Sequence, residues 1–226
     1  MSNDKNYNSA VLEYLNSKYD AEFKIVKSGM EFNGNDGDYF HAICTREEYN
    51  DAFSVYCYPE RESVRDKVII NGIEHTVYDN YAEIVFSKEL EEQISEQISK
   101  DIFLKCRITF PNYYVTDEEF AAGFKACLKD SSLLSNVEVF VVSSDATDIE
   151  ECQTKVEGIC LQNNARWQYM YFATTRSEDY NEISKHYQRE YSSFGRHLKE
   201  CELIERVQFA LAKQDEGIIE RTIEKG

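Results

Sequence analysis

Proline is almost missing from this 226-residue chain: Pro59 and Pro111 are the only two, and the nine glycines never gather into a run. That excludes collagen-like repeats and Pro- or Gly-rich linkers. No stretch approaches the roughly 18 apolar residues of a bilayer span, and the opening Met-Ser-Asn-Asp-Lys-Asn-Tyr-Asn lacks the apolar core of an export signal. Phosphate loops and dinucleotide fingerprints need glycines at fixed spacing between a strand and a helix, so that backbone N–H groups reach a phosphate; no such run exists. Histidine is scarce at four residues, and the seven cysteines form no CxxC pair. An odd cysteine count without an export signal predicts reduced thiols in the cytoplasm, and Cys57 and Cys106, set in apolar runs, read as small core residues.

Positive charge is also in short supply. Against 42 Asp and Glu stand 25 Lys and Arg, a net charge of −17. Cut at Tyr113/Tyr114, the chain holds 12 basic and 21 acidic residues before the cut and 13 and 21 after it, so neither half is a basic module. Affinity for nucleic acid rests largely on clustered Lys and Arg neutralising phosphates. Nucleic acid and anionic membranes are therefore disfavoured as partners, and a basic protein is favoured. Oligomeric state is open.

What remains, 42% hydrophobic and 30% charged residues, is ordinary globular composition. Val11, Leu12, Leu15 and Tyr19 recur at helical spacing behind a cap at Asn8 or Ser9. Strand-like Phe23–Val26, Tyr39–Thr45 and Phe53–Tyr58 follow, the first two separated by the turn Asn33-Gly34-Asn35-Asp36-Gly37. As a calcium loop that turn fails, because Cys44 stands where a bidentate Glu would close it. Asn71-Gly72, between Val68–Ile70 and Ile73–Val77, predicts a type I′ hairpin. Asp79 is placed to cap a helix running to about Lys100, with Leu90, Ile94 and Ile98 on its inner side and Glu89, Glu91, Glu92 and Glu96 on its wet face. Ile102–Phe110 is a strand.

Past Pro111 the rhythm changes to alternating helix and strand. Thr116 with Glu119 forms a capping box opening a helix to about Lys129; Val137–Val142 is an apolar strand; a helix runs from Asp145 or Thr147 through Ile159. Trp167–Ala173 is an aromatic strand, Ser177–Tyr191 a helix and Val207–Ala212 a final strand. The fold class is thus α+β: a helix packed on an antiparallel meander in residues 1–110, then an alternating helix/strand lobe in 111–226, as two lobes or one continuous domain.

Three constellations bear on chemistry. Glu182, His186 and Glu190, at i, i+4 and i+8, would share one stripe of a helix and are the candidate metal or hydrolytic cluster, with His197 a short distance beyond. As a set they suit a divalent metal, but a solvated helix face is the plainer reading, and no cofactor is assigned. Cysteine nucleophiles are not supported: Cys44 follows His41 by three in a strand, which puts the two on opposite faces, and Cys201 with His197 matches no known motif. Third, the 16 tyrosines and 13 phenylalanines cluster in pairs such as Tyr56 and Tyr58, Tyr113 and Tyr114, and Tyr169 and Tyr171. Most are core, but exposed tyrosines would make a protein-binding face.

The stretch Tyr14-Leu15-Asn16-Ser17-Lys18-Tyr19-Asp20-Ala21-Glu22-Phe23-Lys24-Ile25-Val26, followed by Phe53-Ser54-Val55-Tyr56 and Asp79-Asn80-Tyr81, resembles a pattern of uncharacterised proteins of Gram-positive gut bacteria, over about half of the chain. The resemblance implies a helix across an antiparallel sheet, as in cystatin-like domains, and carries no catalytic residues. Some of those proteins are membrane- or lipid-anchored; without a leader here, the expected location is the cytoplasm. The leading expectation is a non-catalytic protein-binding module presenting a sheet face or edge. The alternatives are an enzyme built on Glu182, His186 and Glu190, and a small-molecule sensor whose pocket lies between helix and meander.

Overall fold

A computed structural model describes residues 3–34, 37–46, 49–59, 66–98, 102–110, 115–129, 136–143, 146–163, 167–175, 203–212 and 218–225. The chain divides into two compact units, one formed by 1–84 with 114–121 and the other by 85–113 with 122–226. The class is α+β. No helix among the described residues is long and apolar enough to cross a membrane.

In the first unit, helix α1 (Asn3–Tyr19) lies on a sheet of β1 (Phe23–Asn33), β2 (Gly37–Arg46), β3 (Tyr49–Pro59), β4 (Lys67–Ile70) and β5 (Ile73–Asp79), in the order β1-β2-β3-β5-β4 and antiparallel throughout. The helix starts earlier than its apolar stripe suggested. Tyr7, one turn before Val11, already packs inward, its ring stacked 4.7 Å from Phe40. Alternate residues of each strand then bury Phe40, Ala42 and Cys44 of β2, Phe53, Val55 and Cys57 of β3 and Val77 of β5 on the same side as Val11 and Leu15. Burial of each such large side chain contributes about 1.5–3 kcal/mol. The β4–β5 turn is the Asn-Gly turn expected, with positive φ at both Asn71 (55°) and Gly72 (78°).

Helix α2 (Tyr81–Ser95) passes from the first unit into the second. It stops short of Lys100, its last turn tightening as Gln97 N–H donates to the Ile94 carbonyl, three residues back. The sheet of the second unit runs β10-β9-β8-β7-β6, from β6 (Phe103–Thr109), β7 (Asn136–Ser143), β8 (Trp167–Thr175), β9 (Leu203–Ala212) and β10 (Ile218–Lys225). Neighbours are antiparallel except β7 and β8, whose parallel pairing is made possible by the crossover helix α5 (Ala146–Asn163). Phe86, Leu90, Ile108, Val139 and Val156 are among its buried residues. Glu91, read from sequence as solvated, instead accepts the Cys106 backbone N–H at 2.9 Å and pairs with Lys105 at 3.0 Å, while Ser87 Oγ accepts the Ile108 N–H at 2.8 Å. Two side chains of α2 thus close the outer edge of β6.

The capping box is present, Glu119 accepting the Thr116 N–H at 2.8 Å and Thr116 Oγ1 the Glu119 N–H at 3.3 Å. The helix it opens is cut in two by Gly123 at φ 83°, giving α3 (Asp117–Ala122) and α4 (Phe124–Lys129). Strand β10 has no counterpart in the sequence reading, because Ile218-Ile219-Glu220-Arg221-Thr222-Ile223 alternates too weakly to announce itself.

Candidate functional site

Since Phe40, Ala42, Cys44, Phe53, Val55 and Cys57 all point at α1, the intervening residues of the same strands point away from it. They are Tyr39 and His41 of β2, Tyr56 and Tyr58 of β3 and Tyr78 of β5, all half-buried. Register places them side by side, His41 opposite Tyr56 and Tyr56 opposite Tyr78. His41 and Tyr56 stack at 4.6 Å with planes 7° apart, Tyr39 and Tyr58 at 5.1 Å and 24°, and Tyr58 meets Tyr78 edge-on at 5.5 Å. Five rings therefore pave one face of the sheet.

One carboxylate organises the β1 side of that paving. Glu31 accepts the Tyr39 hydroxyl at 2.8 Å and pairs with His41 Nδ1 at 2.9 Å, while His41 Nε2 lies 3.1 Å from Ser54 Oγ. The His41 and Tyr39 hydrogen bonds hold the Glu31 carboxyl below its usual range, and the bond to Glu31 pushes the Tyr39 phenol up to about 12. Tyr39 is thus a neutral donor, and Glu31 is the negative charge at this margin of the face.

On the α1 side of the same unit lies a second polar arrangement. Lys18, its side chain 3% exposed, donates to Asp66 at 2.7 Å, Asp79 at 3.3 Å, the Tyr14 hydroxyl at 2.9 Å and the Val115 carbonyl at 3.2 Å, with Asp117 at 3.6 Å. Asp79 also accepts the hydroxyls of Tyr14 and Tyr19, each at 2.6 Å, and the Tyr81 backbone N–H at 3.0 Å, so it joins α1 to the start of α2. Burial opposes the charge on Lys18, but Asp79, Asp66 and Asp117 outweigh it and raise the ammonium above its ordinary value. Burial, then the Asp79 charge, raises the Tyr14 and Tyr19 phenols too. A lysine nucleophile needs the opposite shift; this one is a charged structural tie. Beside it opens a cleft of about 460 Å³ between α1 and β4, lined by Glu13, Tyr14, Ser17, Lys18, Asp66 and Asp117 among others.

Of the residues singled out in the sequence, Glu182, His186, Glu190, His197 and Cys201 lie outside the described residues, as do Tyr113, Tyr114 and the helix expected over Ser177–Tyr191. His41 and Cys44 stand on opposite faces as expected. Cys44 and Cys57 are fully buried, and burial pushes both thiols up to about 12, so neither is a ready nucleophile. His75 is a satisfied core histidine: Nδ1 donates to the Ile73 carbonyl at 3.0 Å, which leaves Nε2 to accept the Tyr7 hydroxyl at 3.0 Å. Tyr56 and Tyr58 lie on one strand face, as their spacing predicts, whereas Tyr39, Tyr78 and Lys18 carry no such signal on their own. For the tyrosines the available signal was i, i+2 alternation carried across neighbouring strands. Tyr14 and Lys18, four apart beside an apolar stripe, gave only a faint hint.

No family model and no curated protein matches the chain. A solved structure is similar: a DUF5037 family protein from Ruminococcus gnavus ATCC 29149, with a TM-score of 0.61 over 95% of this chain and 94% of that one, at 15% identity. The likeness is one of fold, shared over nearly the whole length with an uncharacterised family of a gut bacterium; it does not bear on the residue pattern Tyr14–Val26.

Proposed function

We propose that this protein is a non-catalytic binding module whose tyrosine-paved sheet face receives a basic segment of another protein. The observation that carries the reading is the array of Tyr39, His41, Tyr56, Tyr58 and Tyr78 with Glu31 at its margin. Tyrosine supplies large contact area at low entropic cost, and its ring face attracts guanidinium and ammonium groups. The net charge of −17 adds long-range attraction for a cationic partner, and that part weakens with salt. The buried cysteines Cys44, Cys57, Cys106, Cys127 and Cys152 support a reducing location, the cytoplasm.

The test is fluorescence anisotropy with a labelled arginine-rich peptide and a sequence-scrambled acidic one. The arginine peptide is expected to bind, more weakly as salt rises, and the double variant Tyr56→Ser/Tyr58→Ser to lose about tenfold or more in affinity, in line with aromatic anchors dominating interfaces. Equal binding of the acidic peptide, or no loss in the double variant, would sink the reading. A second reading, a small-molecule sensor, is favoured by the cleft between α1 and β4, whose volume is in the usual range for ligand pockets. A thermal-shift screen in which Ser17→Trp removes any hit tests it.

A further inference from the structure

The two sheets end differently. Ser87 and Glu91 take two outward N–H groups of β6, those of Ile108 and Cys106, whereas β1 ends its sheet with β2 as its only strand partner among the described residues. Strand β1 is 11 residues long and contains no proline, and it carries three large exposed apolar side chains: Val26 (65% exposed), Met30 (48%) and Phe32 (73%). Long apolar edges invite strand addition, and natural proteins usually shorten or block them.

From the register of this edge we infer that its occupant is β1 of a second copy of the chain, paired antiparallel about a two-fold axis at Ser28. The bulge between Ile25 and Lys27 decides the matching. Ordinarily residues an odd number apart lie on opposite faces, but the extra residue Val26 shifts the alternation. Lys24, Lys27, Gly29 and Glu31 therefore stand opposite Thr45, Ile43, His41 and Tyr39 and share the tyrosine face, while Ile25, Ser28 and Met30, opposite Cys44, Ala42 and Phe40, share the other. With Ser28 facing its own copy, Lys27 meets Gly29, each bulge absorbs one Val26, and the pairs beyond it are Ile25 with Met30, Lys24 with Glu31 and Phe23 with Phe32. Every pair keeps its face, apolar residues meet apolar ones, and each Glu31 meets a lysine, twice by symmetry. Moving the axis to Gly29 still sets Glu31 against a lysine, Lys27, and Ile25 against Phe32, but it puts Met30 against Ser28 and Lys24 against Asn33 and leaves Phe23 beyond the end of the partner strand. An ammonium has three donors and a carboxylate about four acceptor sites, so these pairs add to bonds that Lys24 and Glu31 already hold. The pairing is independent of what the tyrosine face binds; it joins two such faces on one side of a continuous sheet.

The experiment is sedimentation velocity on the full chain from about 5 to 500 µM, the range expected of a small, strand-edge interface. Wild type is expected to dimerise reversibly. Lys24→Glu and Glu31→Lys each set like charges opposite one another at two positions and are expected to raise the dimer dissociation constant at least about tenfold. An equimolar mixture of the two variants restores opposite charges at both positions and is expected to dimerise like wild type. Glu31→Lys also removes bonds to Tyr39 and His41 within its own subunit, and the mixture separates that effect from the interface because both variants are still present. A wild type that stays monomeric throughout, variants that dimerise unchanged, or a mixture that does not recover would each overturn the inference.

Discussion

Lys18 is the residue on which the first unit turns. A buried ion pair gains little over a well-packed apolar replacement, but removing one partner leaves the other as an uncompensated charge. Lys18→Met should therefore destabilise the protein by about 3–5 kcal/mol, because Asp79, 1% exposed, is left buried without the ammonium beside it. Adding Asp79→Asn to that variant should recover part of the loss, the amide still accepting through one oxygen. Urea denaturation of the three variants checks this; additive losses would show that Lys18 and Asp79 act separately. Apart from the i, i+4 spacing of Tyr14 and Lys18, little of this is legible from the sequence. For Lys18 the other hydrogen-bond acceptors, Asp66, Asp79 and Val115, lie 48, 61 and 97 residues away, and no local pattern reports contacts at that range.

Elements are a different matter, because their signals are local. The Asn71-Gly72 turn, the Thr116/Glu119 capping box and the β7–α5–β8 alternation are each carried by a continuous stretch of sequence, and all are present. Reading failed where a local signal was outvoted or weak. Gly123 sits inside a helical pattern, yet its positive φ ends α3, and β10 is too polar to stand out. The order β3-β5-β4, with β4 outermost, depends on which hairpin face covers α1, which no window of sequence contains. At this scale the turn is the point to test. Gly72→Ala forces a Cβ into φ 78°, with open space around it, so the cost is backbone strain alone, about 1 kcal/mol. It should appear as a lower urea midpoint with unchanged slope.

For the whole molecule, charge and burial act together at alkaline pH. The raised Lys18 ammonium and the Cys44 and Cys57 thiols, pushed to about 12, all hold their protons more tightly folded than unfolded. Their contributions are complete below the unfolded values, about 8.5 for cysteine and 10.4 for lysine, and are lost as pH rises through the folded ones. Each thiol that ionises on unfolding also adds to a charge already at −17. The melting temperature should fall steadily from about pH 9 upward, and Cys44→Ala/Cys57→Ala should flatten the first part of that fall; a level profile to pH 11 would contradict it. The tie between Lys18 and Val115 has a further consequence, in time rather than space. During synthesis α1 emerges first, yet the acceptors outside the helix for its buried cation Lys18 arrive only after 48, 61 and finally 97 more residues. Half of the chain must therefore leave the ribosome before the first helix can settle, and until then the β1 edge and the inner face of α1 stand open to whatever holds a nascent chain.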